Sequence, residues 1–254
     1  MAPWPYPLWI AHRGAGRLAP ENTLAAFRLG ASHGYRAFEC DVKLSADGVP
    51  FLLHDATLDR TTPERGVAGE RPWSELSRLD AGGWLNRRYA GEPLPSLAAI
   101  ATYVQRNGFL LDLEIKPTPG TEHATGVAVG AACRALWKSG VASPPLLSSF
   151  RPEALQGARE AAPELPRALL LDTLWNGWLD IAQALGCVAA VTNHAVMDAA
   201  LIGRLRAAGL RALCYTVNDP AEARRLLALP EGGIDGLITD AVDRFSPDAR
   251  SVFD

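Results

Sequence analysis

A histidine and an arginine stand side by side at positions 12 and 13, closing the apolar run LWIA and opening the turn GAGRLAPEN. An imidazole titrates near neutrality and gives or takes a proton at ordinary pH. A guanidinium presents a fixed fork of donors that matches phosphate oxygens. Downstream, AFECDV carries Glu39 and Asp41 two residues apart, so that on a strand both face one way and Cys40 the other. LLDLEIK repeats the spacing with Glu114 and Lys116. Three carboxylates brought together repel one another unless a cation neutralises them. An all-oxygen set suits a hard divalent ion, magnesium, calcium or manganese, rather than zinc. Lys116 adds a point charge for a phosphate, or a partner for Glu114.

These residues sit at the ends of apolar runs, and the runs have a pattern. LWIAH, AFECDV, LLDLEIK, PLLSSF, RALLLD, AAVTNH, ALCYTV and GLITD read as strands, separated by amphipathic stretches. Those stretches, ENTLAAFRLGASHG, SLAAIATYVQRNG, a segment near 121 to 139, RPEALQGAREAA, TLWNGWLDIAQALG, MDAALIGRLRAAG and DPAEARRLLAL, read as helices. Eight strands and at least seven helices in 254 residues predict a TIM (β/α)8 barrel, an α/β fold with a small insertion after strand two. The chain then forms a single domain, 1–254. In such a barrel the strands' carboxyl ends share one face, which collects His12, Arg13, Glu39, Asp41, Glu114 and Lys116.

After strand two the chain reads DVKLSADGVPFLLHD. Asp47-Gly48 signals a two-residue hairpin turn, which would place His54 opposite Asp41 and supply a second histidine to pair with His12 in acid and base roles. Residues 56–95 read as the insertion, lying over the barrel mouth. Asn193, Tyr215 and Asn218, at the ends of strands six and seven, are candidates for the pocket wall. His33 and His123 read as surface residues. Trp73 and Trp84 read as cover for the substrate or as the insertion's own small core.

Composition narrows the partners. A net charge of −3 without a basic block offers no surface for nucleic acid or anionic lipid, and 48% hydrophobic residues suffice for a large core. No eighteen-residue apolar run and no secretory signal pattern point to a cytoplasmic protein without stable membrane association. Cys40, Cys133, Cys187 and Cys214 are scattered, with neither zinc-site nor disulfide spacing. The expected partner is a small molecule; oligomeric state is left open.

Two rival readings use the same residues. Gly14, Gly16 and Ala19 formally match a dinucleotide fingerprint, with Glu39 and Asp41 about twenty residues on. Against it, Glu21 is a poor neighbour for pyrophosphate, Pro20 reads as the start of the first helix, and an Asp-Gly hairpin replaces the helix a dinucleotide fold needs there. The glycines are better explained by backbone clearance beside a substrate phosphate. The other rival is a non-catalytic binding barrel that senses a phosphorylated ligand; loss of one of the seven residues His12, Arg13, Glu39, Asp41, His54, Glu114 and Lys116 would be its sign, and none is lost.

HRGAGRLAPENTLAAF, FECDVKLSADGVPFLLHDATLDRTT and LEIKP together resemble the three core motifs of the glycerophosphodiester phosphodiesterase family, and the likeness continues through PPLLSSF, APELPR, CYTVN and ITDAVD. The resemblance implies hydrolysis of glycerophosphodiesters to sn-glycerol 3-phosphate and an alcohol. It implies His12 and His54 as the acid–base pair, Glu39, Asp41 and Glu114 as ligands of one divalent cation, Mg2+ or Ca2+ with Mn2+ as a third choice, and Arg13 and Lys116 on the phosphate. Many members carry Trp where this chain has Tyr215.

Overall fold

The computed structural model describes residues 4–137, 143–230 and 233–247. Its strands are β1 (Trp9–Ala11), β2 (Ala37–Leu44), β3 (Pro50–Leu52), β4 (Leu110–Ile115), β5 (Leu146–Ser149), β6 (Arg167–Leu171), β7 (Ala189–Asn193), β8 (Arg211–Tyr215) and β9 (Gly236–Thr239). Eight of them pair in parallel, and β1 meets both β2 and β9, so the sheet closes into the expected barrel. β3 stands outside it, antiparallel to β2. The helices are α1 (Leu24–Ser32), α2 (Trp73–Leu76), α3 (Leu97–Arg106), α4 (Glu122–Leu136), α5 (Pro152–Ala161), α6 (Trp178–Ala184), α7 (Ala199–Ala207) and α8 (Pro220–Leu227). For α4, residues 138 and 139 of the expected segment lie outside the described residues.

Period-two alternation decides what each strand shows to the lumen. On β2, Phe38, Cys40 and Val42 join the core between barrel and helices, whereas Ala37 belongs to the lumen cluster with Tyr6, Ile10, Leu146, Ala168, Ala189, Val191 and Leu213. Glu39 and Asp41 share the face of Ala37. The outer core is helical in logic: α3 buries Leu97, Ile100, Ala101 and Val104, one stripe, behind a Ser96 hydroxyl that accepts from the Ala99 N–H. Tyr6 closes the amino-terminal floor, donating to the Leu111 carbonyl at 2.9 Å and accepting from the Leu146 N–H at 2.8 Å.

Two local expectations are corrected, and a third gains a further cause. The hairpin does not turn on two residues: Ser45 N–H bonds Val49 O and Gly48 N–H bonds Ser45 O, leaving a three-residue loop with Gly48 at φ 79. The odd residue shifts the register, and Asp41 pairs with Leu53 rather than His54. Nor does α1 start at Pro20. Thr23 caps it and Asn22, at φ 60, is turned out of the helix. The third concerns the glycine turn. A Cβ at Gly16 would run into the Asp240 backbone, and one at Gly14 into Ala26 and Phe27, so the fit of the turn against β9's end and α1 by itself requires both glycines.

Candidate active site

Register places the chemistry. Ala11 pairs with Phe38, which sets His12, the next residue, beside Glu39; Asp41 pairs directly with Glu114. His12 Nδ1 lies 2.6 Å from Asp240 Oδ1 and Nε2 lies 3.7 Å from Glu39 Oε2. Asp240 is fixed from behind by Asn218, whose Nδ2 donates to Oδ2 at 3.0 Å and whose Oδ1 accepts from the Asp240 N–H at 2.8 Å. Burial pushes the Asp240 carboxyl up, but His12 and Asn218 hold it at about 2, so it is the acceptor and Nδ1 carries the proton. His54 Nδ1 is held in the same way by Asp55 at 2.7 Å, with Arg60 the main cause of Asp55's fall to about 2.

Arg13 occupies left-handed backbone at φ 48, a conformation that costs a non-glycine residue about 1 kcal/mol. The Arg13 N–H donates to Glu39 Oε2 at 3.0 Å, NH1 donates to Glu21 Oε1 at 2.9 Å, and Nε sits 3.3 Å from Asp41 Oδ2. Asn22 holds Asp41 at both ends, Nδ2 to Oδ2 at 2.8 Å and Oδ1 from the Asp41 N–H at 3.0 Å. That use of Asn22 explains why ENT forms a turn instead of the first turn of α1. Lys116 Nζ donates to Glu114 Oε1 at 2.6 Å and lies 3.7 Å from Asp41 Oδ1.

Glu39, Asp41 and Glu114 are buried, and each brings an oxygen into a group spanning no more than 4.8 Å. Burial and the neighbouring charges push Glu39 well up and Glu114 to about 7, while Arg13, Lys116, His54 and Asn22 overcome burial to hold Asp41 well below its ordinary range. Asp41 Oδ1 is buried without a hydrogen-bond partner. An all-oxygen cluster with an orphaned carboxylate oxygen fits a hard divalent cation. Burial is also what lowers the His54 imidazole, with Arg13 and Lys116 assisting against Asp41.

His12, Arg13, Glu39, His54, Glu114, Lys116 and Tyr215 line one cavity of about 180 Å³ at the strands' carboxyl ends. A second of about 530 Å³ shares His54, Glu114 and Lys116 with it and extends past Asp172 and Trp175. Two expected wall residues stand back from both. Asn218 supports Asp240, and Asn193 donates to Asp172 at 3.0 Å. Trp73 packs on Phe51 within the insertion's small core, and Trp84 stays 40% exposed. His123 is exposed and paired with Glu160, and His33 is exposed.

Several members of the site carry no mark in the sequence reading. Asp240 ends GLITD as His12 ends LWIAH, and asking what that last strand ends with would have found it. Asp112 lies two residues before Glu114 on the same face, opposite Glu39, fully buried, with Oδ1 accepting from Ser148 and Oδ2 unpartnered. Buried Lys43 donates to the Lys116 carbonyl at 2.9 Å, and burial lowers its ammonium to about 8.

Two imidazoles beside an acidic cluster and two cations, in a barrel mouth, are the equipment of a phosphoester hydrolase. Residues 12–244 match the model of the glycerophosphoryl diester phosphodiesterase family. The chain is 32% identical to YhdW of Bacillus subtilis (strain 168), covering 95% of this chain and 97% of the relative. It is 29% identical to the glycerophosphodiester phosphodiesterase of Caldanaerobacter subterraneus subsp. tengcongensis, over 92% and 93%. Among solved structures it is similar to an Oleispira antarctica phosphodiesterase in complex with the product sn-glycerol-3-phosphate, with a TM-score of 0.85, 34% identity, and 92% and 93% of the two chains covered. The chain belongs to the glycerophosphoryl diester phosphodiesterase family, and its activity is that of a glycerophosphodiester phosphodiesterase.

Proposed function

We propose that this enzyme hydrolyses glycerophosphodiesters to sn-glycerol 3-phosphate and an alcohol by histidine acid–base catalysis, with one divalent cation, Mg2+ or Ca2+ and alternatively Mn2+, held by Glu39, Asp41 and Glu114. The observation that carries this reading is the single cavity onto which His12, Arg13, Glu39, His54, Glu114 and Lys116 converge. When bound, the cation supplies positive charge against the phosphate's anionic oxygens. Arg13 and Lys116 bind those oxygens as a fork and a point charge.

With Nδ1 of His12 and of His54 committed to a carboxylate, each ring turns Nε2 to the substrate. One Nε2 takes the proton from the glycerol hydroxyl adjoining the phosphate as its oxygen bonds phosphorus. The other gives a proton to the leaving alkoxide as its bond to phosphorus breaks. A cyclic phosphate results, and water opens it with the proton transfers reversed, returning both rings to their starting states. On this reading the smaller cavity takes the glycerol phosphate and the adjoining larger one the departing alcohol, with Tyr215, edge-on to Phe150, on the wall of the smaller one.

The same reading treats 1–254 as one catalytic domain with 56–95 as an insertion over the barrel mouth. In support, Tyr89 and Arg88 donate to the Leu18 carbonyl and Glu92 accepts from the Ala25 N–H, tying the insertion to the segment behind Arg13. It also places the enzyme in the cytoplasm, where four buried free thiols persist; among the described residues no helix is long and apolar enough to cross a membrane. The test is release of glycerol 3-phosphate from glycerophosphocholine and glycerophosphoethanolamine by the purified protein. Turnover stopped by EDTA and restored by magnesium, calcium or manganese is expected. Turnover indifferent to EDTA would remove the cation, and none with any metal would remove the substrate class.

A further inference from the structure

Arg60 lies in LDRTT, at the beginning of the insertion, with its side chain 42% exposed. Its guanidinium nevertheless makes four hydrogen bonds to two carboxylates. Nε donates to Asp55 Oδ2 at 2.7 Å and NH2 to Asp55 Oδ1 at 3.1 Å; NH1 donates to Glu21 Oε2 at 2.6 Å and NH2 to Glu21 Oε1 at 2.8 Å. Both edges of one flat fork are filled. The same two carboxylates then reach inward, since Asp55 Oδ1 holds His54 Nδ1 at 2.7 Å and Glu21 Oε1 accepts from Arg13 NH1 at 2.9 Å. An unbroken chain runs from His54 through Asp55, Arg60 and Glu21 to Arg13.

We infer that Arg60 is a positioning residue that sets the second histidine and the phosphate-binding arginine in one common geometry. The inference rests on the roles proposed for His54 and Arg13. Without the fork, Asp55 and Glu21 become two like charges free to swing apart. The His54 ring then loses the acceptor that fixes its tautomer and direction, and Arg13 loses the brace on one of its terminal nitrogens. A lysine cannot replace the arrangement, because an ammonium has no planar edges to set two carboxylates parallel.

Exposure separates this role from a purely structural one. The Arg60–Asp55 pair, with side chains 42% and 30% exposed, contributes little to folding stability, so that arm belongs in kinetics; the Arg60–Glu21 pair, with Glu21 only 12% exposed, also costs some melting temperature when it is cut. The two arms also have different signatures. Asp55→Asn, acting through His54, should lower kcat about tenfold with KM unchanged, and Glu21→Gln, acting through Arg13, should raise KM about tenfold with kcat unchanged. Arg60→Ala should do both at once, and Arg60→Lys should remain closer to Arg60→Ala than to the wild type. Introducing Arg60→Ala into Asp55→Asn should cost no further kcat, because the arm is already cut.

The experiment is steady-state kinetics of these five variants on glycerophosphocholine, with thermal melting of each and with guanidinium ion added to Arg60→Ala. Joint changes in kcat and KM in variants that stay folded well above the assay temperature, with partial recovery of kcat by guanidinium, would support the inference. An Arg60→Ala variant with wild-type kcat and KM, or strictly additive losses in the double variant, would overturn it while leaving the parent reading intact. A wild type without turnover on any glycerophosphodiester would overturn the parent reading first.

Discussion

The two histidines are held by carboxylates at nearly equal distance but by different parts of the molecule. His12 belongs to the barrel: it follows β1, its partner Asp240 follows β9, and Asn218 after β8 clamps that partner. His54 belongs to the hairpin and insertion, with its partner adjacent in sequence and anchored by the solvent-exposed Arg60. The histidine side chains are 16% and 29% exposed. One is built into the framework, whereas the other is delivered by a local structure that the closed barrel does not need.

The bluntest way to break this contrast is to remove each ring. His12→Ala and His54→Ala should each lower kcat about 100- to 10,000-fold with the barrel's circular dichroism retained, and near-normal turnover in either would dismiss that residue from acid–base work. Asp41→Asn, which keeps the shape between the two histidines but removes its charge, should weaken divalent-cation affinity about 10- to 100-fold by titration calorimetry, with turnover partly restored at high metal. Unchanged affinity would take Asp41 out of the ligand set.

A finer cut compares the supports. Asp240→Asn should cost more of kcat than Asp55→Asn, by up to about tenfold, because Asp240 is buried further and is fixed by Asn218 as well as by His12. Equal losses would show that anchorage to the barrel confers no advantage.

The smallest effect is thermal, and its sign differs between the lumen and the rim. Glu114 and Asp112 in the lumen are raised to about 7 from 4.5 and 3.8, mainly by burial, so folding holds protons that the unfolded chain has lost. Their contribution is fully present below the unfolded values and is lost as pH rises through about 7. Asp55 and Asp240 at the rim are lowered to about 2, and their contribution is lost as pH falls from 3.8 toward 2. In EDTA, the three raised carboxyls Glu39, Glu114 and Asp112 should make the melting temperature decline between pH 6 and 8, with the lowered His54 imidazole and Lys43 ammonium working against them, and added magnesium or calcium should flatten that decline by replacing protons with metal. A melting temperature that rises over that interval in EDTA would contradict the lumen assignment.

How much of this was legible in advance follows from what each inference needed. Strand alternation requires only spacing, and it correctly put Glu39 and Asp41 on one face and Cys40 on the other, as cluster membership bears out. The barrel, too, could be read from repetition. Register could not: whether ADG makes a two- or three-residue turn depends on Gly48 adopting φ 79 and on the Ser45 hydroxyl bonding Asp47 at 2.6 Å, which a dipeptide signal does not carry. Asn22 was hidden for a related reason, because a residue that would start a helix on propensity alone is recruited by Asp41, 19 positions away. Arg60 is a charged residue in a loop until the folded chain brings Glu21 to its other edge.

The barrel's closure has a consequence for how the enzyme is made. β1 pairs with β9 through Trp9–Leu237, Ile10–Ile238 and Ala11–Thr239, and His12 finds its carboxylate 228 residues later in the chain. Contacts so distant in sequence form slowly and late. A chain emerging from the ribosome therefore keeps the β9-facing edge of β1 open until β9 has been made, and its first histidine lacks its orienting partner until that strand docks. Activity in this protein therefore requires the chain to be made through Asp240, and any truncation before that residue should yield a chain that is both open-edged and silent.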